Sequence, residues 1–132
     1  MGATEYTDAL KLGRKEYKFK VSLGQFPYLP VLDEIVSQTD IQTEQNMGLV
    51  QIPLEFVVGT STMGRTYAFA ANFMPILAEG SEFAIKWANL ADAQVNEGIR
   101  DPIKVYEYMN RYYVVEGNKR VSVLKFYNAV SI

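Results

Sequence analysis

The chain has no cysteine and no histidine among its 132 residues. The first absence removes disulfides, thiolate zinc sites and any thiol nucleophile. The second removes a Ser-His-Asp triad, a His-ligated metal and a phosphohistidine relay. Acid–base chemistry, if there is any, falls to Asp, Glu, Lys or Tyr. No apolar run approaches the length of a membrane span, and Met1 to Leu10 is polar and acidic, unlike a signal peptide. Met1-Gly2 opens like a myristoylation site, but Tyr6 stands where Ser or Thr is wanted. These absences lead to the expectation of a soluble, cytoplasmic protein with no membrane partner. There is no internal repeat and no low-complexity segment.

What is present suits one domain with a proper core, since 48% of residues are hydrophobic and 21% charged. The net charge of −2 is unevenly spread. Residues 1–30 carry five basic and three acidic side chains, residues 31–97 two and nine, and residues 98–132 six and three. The overall acidity argues against tight, nonspecific DNA binding, while the basic last third suits a phosphate ligand.

Periodicity predicts a helix over 4–24 with Tyr6, Leu10, Tyr17 and Val21 near one face, then a short helix over Val31 to Ser37. Thr39 to Met47 reads as a loop, so residues 1–47 form a helical arm packed on residues 48–132. Leu49 to Val58 is predicted to be a strand, with Pro53 implying an edge or bulge. A helix is expected from Thr66 to Met74, stopped by Pro75. Ser81 is a plausible cap for a helix over Glu82 to Glu97, ended by Gly98. A hairpin follows, with strands over Ile103 to Tyr108 and Tyr112 to Glu116. A helix over Asn118 to Tyr127 and a strand-like end at Ala129 to Ile132 complete an α+β order. The apolar end suggests the N-terminal part of a longer chain.

Two stretches carry candidate chemistry. Gly59-Thr60-Ser61-Thr62-Met63-Gly64-Arg65-Thr66 has the glycine spacing of a phosphate-binding P-loop, with Arg65 in the lysine position. With no lysine there and no later Asp-ended strand, a true P-loop is not expected. The second stretch is Tyr112 to Lys125, a strand, a sharp turn at Gly117 and a helix with Asn118 as its expected cap. Backbone N–H groups at a helix start, the dipole end and the cations Lys119 and Arg120 make an anion site whose usual guest is phosphate. Glu116 is the carboxylate at this loop and the candidate Mg²⁺ ligand or catalytic base. Lys11, Arg14, Lys15 and Lys18 give the first helix a basic side, and with Arg100 they are the candidate DNA contacts.

Ile52-Pro53-Leu54, Arg65, the helix end at Gly98, Gly98 to Val105 and Tyr112 to Arg120 together resemble the N-terminal domain of the ParB partition proteins. That superfamily also holds sulfiredoxin and the ParB-like nuclease domains. Gly98, Pro102, Gly117 and Arg120 stand at matching positions, and the resemblance covers roughly residues 48–132. It implies a small mixed sheet with flanking helices, in a bacterial-type protein. It also implies a nucleoside triphosphate (CTP with Mg²⁺ in partition proteins, ATP in sulfiredoxin) held by Gly117, Asn118, Lys119 and Arg120, with Arg65 and Lys86 adding charge. Asn118 replaces the reactive cysteine of sulfiredoxin, so that chemistry is absent. Lys119 stands where partition proteins carry Arg. A regulatory nucleotide-binding domain with slow hydrolysis is the leading expectation. A DNA-binding or nuclease module is the alternative, and an interaction domain with a decayed site, such as a homodimer, is the second.

Overall fold

The computed structural model describes residues 2–35, 48–61, 63–129 and 131. Along the chain run α1 (Gly2–Ser22), α2 (Leu32–Ile35), β1 (Val57–Thr60), α3 (Glu82–Asn96), β2 (Lys104–Tyr108), β3 (Arg111–Glu116) and α4 (Asn118–Phe126). Single 3-10 segments lie at Leu54–Phe56 and Met63–Ala68. Among the described residues this is an α+β fold of four α-helices and one three-stranded mixed sheet.

The β2–β3 hairpin forms where its composition demands. Met109 and Asn110 both take positive φ, 53° and 63°, which matches a two-residue turn to the right-handed twist of the strands. Alternation then sorts the side chains. Val105, Tyr112 and Val114 face the main core, while Tyr106, Tyr108 and Tyr113 pack with Leu32 and Val58 on the other side. β3 is the central strand, antiparallel to β2 and parallel to β1, with Thr60 opposite Val114.

Two larger cores lie against the sheet and among the helices. One gathers Leu29, Leu54, Val57, Phe69, Phe73, Val114, Val121 and Leu124. The other joins Tyr6, Ala9 and Leu10 of α1 to Trp87 and Ala91 of α3 and Val123 of α4. Tyr6 stacks edge-on against Trp87 at 5.5 Å between centroids, and its hydroxyl donates to the Leu77 carbonyl at 2.7 Å. Burial, partly offset by Arg14 and reinforced by Glu79, pushes the phenol up to about 12.

That shift has a sign. The folded state keeps a proton that the unfolded chain loses near pH 10, so the stability is present below pH 10 and lost as pH rises to about 12. Two units correspond to roughly 2–3 kcal/mol at most. Tyr113 and Tyr127 are also raised by burial and share the alkaline loss. Urea midpoints from pH 8 to 11 should fall in the parent and fall less in Tyr6→Phe. Equal slopes would contradict the role given to Tyr6.

Several sequence expectations need correction. The helix expected over Thr66 to Met74 is replaced by the 3-10 segment Met63–Ala68 and a tight turn. Asn72 Oδ1 accepts from the Met74 amide at 3.0 Å, and Phe73 takes φ 69°, a local side-chain bond that competes with helix. The strand expected over Leu49 to Val58 is confined to Val57–Thr60, because the prolyl residue at 53 and the 3-10 turn after it end regular pairing. At the C-terminus, Ser131 makes an isolated bridge to Pro53 and its hydroxyl accepts from Gln51 Nε2 at 2.7 Å, without a regular strand there among the described residues. Val21 keeps the same face of α1 as Leu10 and Tyr17 but is exposed. Thr39 to Met47 and Val36 to Ser37 lie outside the described residues.

Candidate functional site

Parallel pairing has a consequence that antiparallel pairing lacks. β1 and β3 end on the same side, so the turn after β1 and the turn after β3 emerge together. Open sheets with parallel strands bind ligands at this carboxyl end. The turn after β1 is Ser61, whose amide donates to the Val114 carbonyl at 2.9 Å. The turn after β3 is Gly117, at φ 107° and ψ 25°, directly preceding α4. A Cβ there would lie 2.5 Å from Ile103 Cγ2, so both the dihedral and the space call for glycine.

The helix starts at Asn118 as expected, but Asn118 is not its cap. Gly117 holds the cap position and Asn118 is already helical. The Asn118 side chain turns inward, 7% exposed, and Nδ2 donates to Thr60 Oγ1 at 3.3 Å. Thr60 in turn donates to the Val114 carbonyl at 3.1 Å. Asn118 therefore clasps the two loops together and could offer an anion only its backbone amide. The first backbone bond of the helix runs from the Val121 amide to the Gly117 carbonyl at 3.0 Å. The amides of residues 118 to 120 thus point toward the open N-terminal end, the geometry of a helix anion site.

Cations surround that end. Lys119 Nζ lies 5.4 Å from the centroid of the Phe83 ring. Lys86 pairs with Glu82 at 3.0 Å. The hydrogen bond and charge of Lys86, with Lys119 adding its charge, hold the Glu82 carboxyl below its ordinary range. Glu82 is exposed and pairs with Lys86, the Lys119 charge being the smallest of the influences on it, so an anionic ligand could draw Lys86 away at small cost. Arg120 Nη1 donates to the carbonyls of Pro102 at 2.6 Å and Asp101 at 3.4 Å. It braces the loop entering β2, and its other N–H groups remain to be directed elsewhere. Glu116 is exposed at the end of β3, opposite Lys104.

The remaining candidates lie apart from this end or outside description. The backbone of Arg65 is in the 3-10 segment, but its side chain is outside the described set. Thr66, the P-loop-like threonine, is fully buried and donates to the Leu29 carbonyl at 2.7 Å, so it cannot meet a phosphate. Lys11, Arg14, Lys15 and Lys18 are exposed along α1, and Arg100 is exposed in the turn after α3. Among the described residues no three of His, Cys, Asp and Glu gather as a metal site. The residues at the loop fit only a cation shared with a ligand's phosphates, which is how Mg²⁺ is commonly held. No helix among the described residues is long and apolar enough to cross a membrane.

Sequence reasoning missed Thr60 and Glu82. Thr60 acts only through the parallel pairing, which no local pattern encodes. Glu82 could be found as the residue four before Lys86 on the same helix. Comparison with protein-family models, curated proteins and solved structures gives no match to this chain.

Proposed function

We propose that this protein binds the phosphates of a nucleoside triphosphate at the N-terminal end of α4, as a regulatory domain of the ParB-like kind. The observation that carries the reading is the emergence of the turns after parallel strands β1 and β3 together at the start of α4, with Lys119 Nζ 5.4 Å from the Phe83 ring of α3 and Lys86 about one turn further along that helix. Backbone amides of residues 118 to 120 would cradle the phosphate, and Lys119 and Lys86 would neutralise it. Mg²⁺ would supply further charge neutralisation when bound, with Glu116 the carboxylate that would hold it. A cytoplasmic location belongs to this reading.

Calorimetric titration with CTP, ATP and GTP, each with Mg²⁺, tests it. One nucleotide should bind, and Lys119→Gln should weaken it about tenfold or more, the worth of one charge-assisted hydrogen bond. Lys119 is a cleaner probe than Arg120, because Arg120→Ala would also release the loop at Asp101 and Pro102. Unchanged affinity in Lys119→Gln would sink the assignment.

A further inference from the structure

The C-terminal end of α1 leaves the body of the protein. Residues 21 to 26 are exposed without exception. That tip carries Phe19, Val21, Leu23 and Phe26, each between 51% and 56% exposed, an unusual density of large apolar side chains in water. Leu12, Phe19 and Leu23 follow one another at spacings of seven and four, which puts them on one stripe of the helix. Val21 stands two residues from both Phe19 and Leu23, so it faces roughly 160° away from them. Lys15 lies beside the stripe, Lys11 and Lys18 are about a quarter-turn round from it, and Arg14 is near the opposite side; all four are exposed, with Glu16 as the acidic residue among them. At the base of the tip, Phe26 and Lys20 border an open, largely apolar groove of about 530 Å³ that also touches Tyr28, Pro30, Val31 and Glu34.

We propose that this tip is a membrane-contact element that seats on an anionic lipid surface. Basic residues flanking an apolar stripe are the composition of helices that lie in a lipid interface. The distribution of the apolar groups selects lipid over other occupants. Phe19 and Leu23 face one way, Val21 the other, and Phe26 lies beyond the helix end. A flat protein surface covers one side of such a tip, while a lipid phase surrounds it. Duplex DNA would meet the lysines but leave the four apolar side chains without a partner. A second copy docked through the same face would set the basic row against itself. The sequence led to an expectation of no membrane partner because no segment is long enough to span; surface contact needs no span.

The test is co-sedimentation of the full chain with phosphatidylcholine vesicles and with phosphatidylglycerol/phosphatidylcholine vesicles. The protein should partition onto the anionic vesicles and not the neutral ones. F19S/L23S should abolish partition, and K15Q/K18Q should lower it about 30-fold, from the contribution of two lysines near a charged surface. These side chains are exposed, so both variants should keep the helical circular dichroism and melt of the parent. Absence of partition, or partition that survives F19S/L23S, overturns the proposal. So does a DNA gel shift, or a dimer in solution, that F19S/L23S abolishes.

Discussion

Trp87→Ala is expected to lower stability by about 3–5 kcal/mol, enough to unfold much of a marginal domain at 37 °C. Trp87 is fully buried and sits where three helices meet. It contacts Tyr6 of α1 edge-on, and Phe126 of α4 at 5.6 Å between centroids. Its indole Nε1 donates to Ser122 Oγ at 2.8 Å, inside the protein and away from water. Truncation removes the ring contacts, opens a cavity and strands the Ser122 hydroxyl at once. Trp87→Phe separates these effects. It keeps most of the apolar volume and loses the hydrogen bond, so about 1–3 kcal/mol should remain as its cost. Chemical denaturation followed by far-UV circular dichroism measures both. A Trp87→Ala loss below that of Trp87→Phe would contradict this description of the core.

Gly13→Val is the second large effect, and Gly13→Ala decides its sign. On propensity alone, replacing a mid-helix glycine with alanine should stabilise by about 1 kcal/mol. Here α1 lies directly on the chain at Met74 and Pro75. A Cβ on residue 13 would stand 2.1 Å from the Pro75 carbonyl oxygen and 2.9 Å from its carbon, both backbone atoms that cannot rotate aside. The helix must then lift from the loop, which disturbs Leu10 and Met74 in the shared core. Overpacking of this kind costs about 1–3 kcal/mol for small groups and more for a β-branched one. Gly13→Ala should therefore destabilise despite its better propensity, and Gly13→Val should destabilise further. A raised urea midpoint for Gly13→Ala would contradict the close approach of α1.

The local signals in the sequence reached the local structure. Ser81 caps α3 as expected, its Oγ accepting from the Ala84 amide at 3.1 Å. The hairpin turn expected at Met109-Asn110-Arg111 was right to within one residue, since Arg111 opens β3, and the positive φ at Gly117 was equally legible, because each depends on a few adjacent residues. Asn118 was misplaced by one position. A glycine can serve as the cap, and the partner that draws the Asn118 side chain inward is Thr60, 58 residues away. A similar distance in sequence hid the β1–β3 pairing, and with it the reason the two loops emerge side by side. Phe69 to Met74 looked helical by composition, but the Asn72 side chain satisfied a backbone amide and made a turn cheaper than a helix. The exposed apolar tip of α1 was not foreseen, because periodicity tells which residues align, not how far the body extends beneath them.

The proposed phosphate site joins the turns after β1 and β3 at the start of α4. Amide chemical shifts of the ¹⁵N-labelled protein, followed as a nucleotide and Mg²⁺ are added, test it most directly. The largest shifts should fall on Ser61, Gly117, Asn118, Lys119 and Arg120, with smaller ones near Glu82 and Lys86. Shifts confined to α1, or none with any nucleotide, would contradict it.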